Sequence, residues 1–170
     1  MANKAMVEVA TCISCQAGCT CIKQEEVIVI LDPLTSPCYA SRESALQALK
    51  CLVLVLPTID DNYELRLMIA QRVWVASYDD HKNVRSLAES LREDLFLEEP
   101  YEDMCLKLVD DVTHPEEIVC RAAAKCLADC LQCHGKHIVT TIQLLLVRYE
   151  EKLEVGLSSC RRYCSALAII

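Results

Sequence analysis

The sequence predicts an all-α protein built from helix pairs stacked in a row. One helical pattern recurs around Ala45, Ala88 and Ala123, at intervals of 43 and 35 residues. Apolar residues make up 53% of the chain and aromatic residues only 5%. Aliphatic and small side chains must therefore fill the core, which suits close-packed helices better than a β-sandwich. Tight β-turns are also few, since the sequence has only 3 glycines.

A helical recurrence of about 35 to 47 residues is typical of α-solenoids such as HEAT and armadillo arrays. The 170 residues leave room for about three HEAT-like pairs in a right-handed stack of antiparallel helices. We expect an irregular Cys-rich N-terminal segment over residues 1–35, HEAT-like repeats over 36–154 and an unmatched C-terminal tail over 155–170. Neither end shows the polar outer face of a terminal repeat, which indicates adjacent HEAT repeats of a longer chain as partners.

The N-terminal segment gives the weakest structural signal. Residues 1–22 are rich in Cys and small residues without clear helical periodicity. We therefore expect their removal to leave the melting transition unchanged. Residues 27–31, Val-Ile-Val-Ile-Leu, fit either a short strand or a truncated helix, because periodicity cannot separate the two. Pro33 and Pro37 then break any regular pattern, since the residue before a proline avoids the α region.

From residue 45 the apolar residues recur at steps of three and four, which predicts amphipathic helices. The first three apolar stripes are Ala45, Ala48, Leu49, Leu52, Val53 and Leu56; then Leu65, Met68, Ile69, Val73 and Ala76; then Val84, Leu87, Ala88, Leu91 and Leu95. Residues 57–62 form the first turn. Asp79 and Asp80 form the second turn and are candidate N-caps of the third helix. Glu98, Glu99 and Pro100 are expected to end the third helix.

Three further helices are predicted after Pro100. Their stripes are Cys105, Leu108, Val109 and Val112; then Val119, Ala122, Ala123, Cys126, Leu127, Cys130 and Leu131; then Ile138, Ile142, Leu145, Leu146, Tyr149 and Leu153. The second of these begins well, with Pro115 at N1 and the acidic Glu116 and Glu117 at the positive end of the helix dipole. Gly135 is its expected C′ residue.

Four blocks of sequence carry a resemblance to a known family. They are Arg-Val-Trp-Val at residues 72–75, the helix at 84–91, Asp-Asp-Val at 110–112 followed by His114, and the stretch 144–153. Their order and spacing make residues 35–153 similar to the ribosome-associated HEAT-repeat activator of the amino-acid-starvation kinase, the general control nonderepressible activator family, whose central region is akin to fungal elongation factor three. The resemblance implies a cytoplasmic α-solenoid that contacts ribosomes and relays uncharged-tRNA stress to the kinase that phosphorylates initiation factor two.

The chain departs from this family in two ways. Cys120 stands where the repeat's arginine would be, so that repeat loses a charged partner for a nearby acid. The ends, before about residue 32 and after Glu154, do not match. In the family, kinase engagement belongs to a region far C-terminal to this one, so no position here inherits it. We expect a scaffold segment of this translational regulator; the alternatives are a generic HEAT adaptor for protein transport or phosphatase assembly, and a Cys-rich zinc-binding module.

The 13 cysteines would fit a disulfide scaffold in a short secreted chain. No secretory signal is evident, however, because Glu8 interrupts the first apolar run. We therefore expect reduced thiols in a cytoplasmic protein. The one candidate metal site is Cys12, Cys15, Cys19 and Cys21. The single residue between its last two cysteines strains tetrahedral zinc geometry, which favours a disordered Cys-rich end.

A second ligand-like group fits a helix core better than a metal site, namely Cys126, Cys130, Cys133, His134 and His137. Its cysteines are spaced four and three apart, as core positions are. All four histidines, including His81 and His114, fall at helix ends or turns. No glycine-rich phosphate loop, HExxH or GxSxG motif occurs. We therefore predict no enzyme activity, no cofactor, and no catalytic, cofactor-binding or metal residues.

Charge excludes further classes. The net charge of −8 argues against autonomous nucleic-acid binding, which needs a basic face, and Arg161 and Arg162 form only a weak basic cluster. No apolar run reaches the ~18 residues of a membrane span. We assign a structural role to Asp79 or Asp80 with Arg85. An acid before the second helix of a pair and an arginine inside that helix can form an ion pair across stacked repeats.

Overall fold

The computed structural model describes residues 2–15 and 22–155. These residues form eight α-helices with short 3₁₀ turns, and no strand occurs among them. The helices are α1 (Ala2–Ser14), α2 (Gln24–Leu31), α3 (Tyr39–Cys51), α4 (Tyr63–Ala76), α5 (Lys82–Asp94), α6 (Met104–Val112), α7 (Glu117–Cys133) and α8 (Ile138–Val155). The predicted all-α class is confirmed, and the six helices expected from residue 45 onwards correspond to α3 to α8.

The chain forms two compact units, Met1–Glu98 and Glu99–Ile170. In the first unit α3 packs against both α1 and α5, and α4 packs against α5. Its large, fully buried side chains are Val27, Leu46, Leu49, Leu52, Leu67, Ile69, Val73 and Leu91. α4 carries buried residues around most of its circumference, including Leu67, Ile69 and Trp74, so it lies within the unit and not at its surface.

The second unit is built around α6, which packs against α7 and α8. Its fully buried large side chains are Met104, Leu108, Leu127 and Leu145. The predicted stripe of α8 is correct for Leu145 but wrong for Ile138 and Leu146, which are both exposed. Val139 and Val147, outside the predicted stripe, are exposed as well.

The recurring alanines have the same environment in each repeat. Ala45, Ala88 and Ala123 lie in α3, α5 and α7, and all three are fully buried. A methyl group at such a position lets a neighbouring helix approach closely, which explains why the pattern is centred on alanine.

The prediction of irregular structure over residues 1–35 is wrong where the chain forms α1 and α2. Ala10 is buried as α1 packs against α3, and the buried Ile22 donates its N–H to the carbonyl oxygen of Val55 at 3.0 Å. These tertiary contacts hold α1 and Ile22 in place, and a local apolar pattern cannot reveal them. Residues 27–31, which fitted either a short strand or a helix, form the last part of α2. The boundaries at 35/36 and 154/155 stay predictions, and the tail beyond Val155 lies outside the described residues.

The ends of two helices differ from simple expectation. α7 begins at Glu117 with Glu116 as its N-cap, so Pro115 lies before the cap and its predicted N1 position is wrong. Gly135 does follow the C-cap His134, in the predicted C′ position.

α5 ends in a Schellman motif with an unusual residue. The N–H of Phe96 donates to the carbonyl oxygen of Glu93 at 3.0 Å, and that of Leu97 donates to Arg92 at 2.9 Å. Phe96 takes the left-handed C′ conformation, with φ of 55°. Glycine normally occupies this place, because a Cβ atom is strained there.

Candidate functional site

A buried ion pair joins two helix pairs of the first unit. Arg42 lies in the first turn of α3, and Asp79 lies in the turn after α4. The arginine Nε donates to Oδ2 of the aspartate at 2.6 Å, and Nη2 donates to Oδ1 at 2.9 Å. Both side chains are only 4% exposed. The bidentate geometry fixes the direction as well as the distance of the contact, so the pair sets how α3 meets the α4–α5 turn.

The remaining hydrogen-bonding groups of this pair are also used. Arg42 donates from Nη1 to the carbonyl oxygens of Ser36 at 2.7 Å and Pro37 at 3.1 Å. Asp79 accepts from the main-chain N–H of His81 at 2.8 Å through Oδ1. Burying a charge is costly unless it is paired and hydrogen-bonded, and here both conditions are met.

Arg85 repeats part of this arrangement one repeat later. Its Nη1 donates to the carbonyl oxygens of Asp79 at 2.6 Å and Asp80 at 2.9 Å. These acceptors lie six and five residues before Arg85, as Ser36 and Pro37 do before Arg42. Each arginine therefore ties its own helix to the turn that leads into it.

The predicted contact of Asp79 or Asp80 with Arg85 needs correction. Arg85 binds the main-chain oxygens of both aspartates, whereas the Asp79 carboxylate binds Arg42, which sequence reasoning missed. The sequence does mark Arg42 as equivalent to Arg85, because Arg42 stands three residues before Ala45 and Arg85 stands three residues before Ala88.

Cys120 occupies the third equivalent position, three residues before Ala123. The thiol is buried in the first turn of α7 and donates from Sγ to the carbonyl oxygen of Val112 at 2.8 Å. Val112 is the last residue of α6. A neutral hydrogen bond therefore links α7 to α6 at the position where Arg42 and Arg85 use a charged group.

Four of the five cysteines in α6 and α7 are core residues. Cys126 and Cys130 are buried, as predicted, but Cys133 is exposed, so the core assignment is wrong for that residue. A hydrogen bond with Cys130, together with burial, raises the pKa of Cys105 well above the usual range of a thiol. A thiol kept protonated in this way is a poor nucleophile and a poor metal ligand.

The histidines near the end of α7 serve as hydrogen-bonding partners. His134 contacts the carbonyl oxygen of Pro100 through Nε2 at 2.7 Å, and His137 contacts Oε1 of Glu102 at 2.8 Å. The Lys136 ammonium also lies 2.8 Å from that oxygen. Hydrogen bonds from Lys136 and His137 hold the pKa of Glu102 below its ordinary value. These contacts join the turn after α7 to the start of the second unit.

The predicted N-terminal metal ligands are only partly described. Cys12 lies in α1 and Cys15 directly after it, and both thiols are exposed. Cys19 and Cys21 lie outside the described residues, as do Arg161 and Arg162. Across residues 2–15 and 22–155, no group of three or more His, Cys, Asp or Glu side chains is placed to hold a metal ion. In the same residues, no helix combines the length and apolar character needed to cross a bilayer.

Paired helices, buried alanines at one repeated position and arginines bound to their preceding turns define a HEAT-type α-solenoid segment. A family model described as "Stalled ribosome sensor GCN1, HEAT repeats" matches residues 59–160. The chain belongs to this GCN1 HEAT-repeat family.

Two relatives support this assignment. The chain is 34% identical to the mouse stalled ribosome sensor GCN1 over 153 residues, covering 90% of this chain and 6% of the relative. It is 36% identical to the human stalled ribosome sensor GCN1 over 137 residues, covering 80% of this chain and 5% of the relative. The chain thus spans about one twentieth of the length of these relatives. No solved structure matches it.

Proposed function

We propose that this chain is a scaffold segment of a ribosome-associated, cytoplasmic regulator of translation, the kind of protein that activates the initiation-factor-two kinase in amino-acid starvation. The observation that carries the proposal is the GCN1 HEAT-repeat match over residues 59–160, which runs through α4 to α8. The role of the segment is to hold helix pairs in a fixed register within a longer array. No residue of this chain is assigned to kinase binding.

The geometry supports a mechanical role. The Arg42–Asp79 pair and the main-chain contacts of Arg85 fix the joints between consecutive helices. Solenoids bind through extended surfaces built from many repeats, so a segment of this size supplies a small part of such a surface. The net charge of −8 also opposes an independent hold on ribosomal RNA. Ribosome contact in this proposal therefore needs neighbouring repeats.

A graft experiment tests the proposal. In cells that lack the activator, the human relative is expressed with its matching segment replaced by this chain. We expect the graft to co-sediment with ribosomes in sucrose gradients and to restore initiation-factor phosphorylation on amino-acid withdrawal. The same graft carrying Arg42→Met should show a partial loss of both activities, because the joint between helix pairs is broken while the neighbouring repeats remain. The matched control Arg121→Met, at a half-exposed side chain of α7, should keep them.

Two outcomes would contradict the proposal. The first is a graft that is expressed and folded but does not sediment with ribosomes, a result expected of a general HEAT adaptor. The second is the isolated chain restoring phosphorylation, which would place the activating surface within these residues.

A further inference from the structure

An apolar groove of about 690 Å³ runs between α1 and α2 in the first unit. Its lining is mostly aliphatic, with Val9, Ala10 and Ile13 from α1 and Val29 and Ile30 from α2. Ala10 and Ile30 are buried and form the floor, whereas Val9 is 58% exposed and Val29 is 68% exposed. Two exposed valines on facing helices leave a cleft in which an apolar side chain loses contact with water.

The polar residues that line the groove all have one charge sign. Glu25, Glu26 and Asp32 line it, and each is exposed. Glu26 uses one carboxylate oxygen to accept the main-chain N–H of Lys23 at 3.0 Å. Among the described residues that line the groove, none is a lysine or an arginine.

This combination selects a class of ligand. An apolar groove between two helices is the surface into which an amphipathic helix lays its apolar face. Acidic groups along the edge favour lysine or arginine beside that face and disfavour acidic side chains through like-charge repulsion. They equally disfavour an anionic membrane surface or a nucleic acid.

We propose that the α1–α2 groove is a docking site for one amphipathic helix of a partner protein, with basic residues flanking its apolar stripe. The site is separate from the Arg42–Asp79 joint and does not depend on the scaffold role proposed above.

Binding of a defined probe to the full chain tests this. The probe is an 18-residue peptide of leucine and lysine, acetylated and amidated, with leucines at helical spacing and a fluorescent label; its partner peptide has glutamate in place of every lysine. We expect saturable binding of the lysine peptide by fluorescence anisotropy and at least tenfold weaker binding of the glutamate peptide. Val9→Asp and Val29→Asp should each weaken binding of the lysine peptide at least tenfold, with unchanged helical circular dichroism, because both side chains already face water.

The charge contribution has its own matched control. Glu25→Gln with Asp32→Asn should weaken binding of the lysine peptide at least threefold at low salt and less at high salt. Glu99→Gln with Glu150→Gln changes the net charge equally at exposed residues that do not line the groove, and should leave binding unchanged.

Several results would overturn the proposal. Equal binding of both peptides would show apolar association without charge selection. Full binding of the lysine peptide to the two valine variants would show general attraction of a basic peptide to an acidic protein. A tenfold gain in affinity on deleting residues 156–170 would show that the chain's own segment occupies the groove. Concentration-dependent dimers abolished by Val29→Asp would identify a second copy as the occupant.

Discussion

The rings of Tyr39 and His81 stack with their centroids 4.1 Å apart and their planes 13° apart. Tyr39 is the first residue of α3, and His81 is the N-cap of α5. The main chain of His81 also donates to Asp79, whose carboxylate binds Arg42. An ion pair, a main-chain hydrogen bond and a ring stack therefore brace the same joint.

Breaking the ion pair should strongly destabilise the protein. Arg42→Met leaves Asp79 buried and charged without its partner, a change that costs about 3–5 kcal/mol in comparable cases. The free energy of unfolding from urea melts measures this. The half-exposed Arg121→Met is the control and should cost less than about 1 kcal/mol.

A double variant separates pairing from packing. Arg42→Met with Asp79→Leu removes both charges, so its cost should be well below the sum of the two single changes. If the costs simply add, the two residues do not act as a pair.

The fold was predictable where the sequence pattern is local. The stripes around Ala45, Ala88 and Ala123 placed the helices because a buried face repeats every three to four residues. α1 escaped prediction because contacts with α3 hold it, and those contacts join residues far apart in the sequence. The partner of Asp79 was not predicted for the same reason. The predicted partner, Arg85, is six residues away in the sequence, whereas the observed partner, Arg42, is 37 residues away.

The core assignment of α7 leads to a prediction for the second unit. Leu127 is fully buried, so Leu127→Ala should lower the free energy of unfolding by about 2–5 kcal/mol. Lys125→Ala, at an exposed residue of the same helix, should change it by less than about 0.5 kcal/mol. Equally mild urea melts for the two variants would mean that the buried face is misassigned.

The left-handed residue after α5 offers a stabilising change. Phe96 is 86% exposed, so little burial is lost when its side chain is removed. Phe96→Gly should raise the free energy of unfolding by about 1 kcal/mol, since the strain of a Cβ atom at positive φ is relieved. Phe96→Ala keeps that atom and should give a clearly smaller gain. Equal effects of the two would attribute the change to the ring and not to the backbone.

Cys38 should be the most reactive of the exposed thiols in the described residues. Main-chain and side-chain hydrogen bonds from Ser41 lower the pKa of this N-cap thiol. A lowered pKa increases the thiolate fraction at neutral pH, and the thiolate is the nucleophile. Iodoacetamide labelling followed by mass spectrometry should modify Cys38 faster than Cys12 or Cys51 at pH 7, with the rates converging at high pH. Ser41→Ala removes the side-chain hydrogen bond but keeps the main-chain N–H, so it should slow Cys38 only in part and leave Cys12 and Cys51 unchanged. A Cys38 rate no higher than that of Cys12 and Cys51 at pH 7 would contradict the assigned cause.

Removal of residues 1–22 should lower the melting temperature, contrary to the expectation from sequence. The deletion exposes the face of α3 that α1 covers and removes the Ile22 contact to Val55. Ala10→Asp tests the same contact within the intact chain, because Ala10 is buried there. The exposed Cys12→Ser is its control. A melting temperature unaffected by both the deletion and Ala10→Asp would show that α1 contributes nothing to stability.

The joints of this chain close over short stretches of sequence. The contacts of Arg42 with Asp79, Lys50 with Ser90 and Arg66 with Leu95 span 37, 40 and 29 residues. In the second unit, His137 meets Glu102 over 35 residues. Loops of this length close at low entropic cost, and topologies rich in local contacts fold fast. During synthesis, each joint can therefore form soon after its second partner leaves the exit tunnel, while later repeats are still being translated.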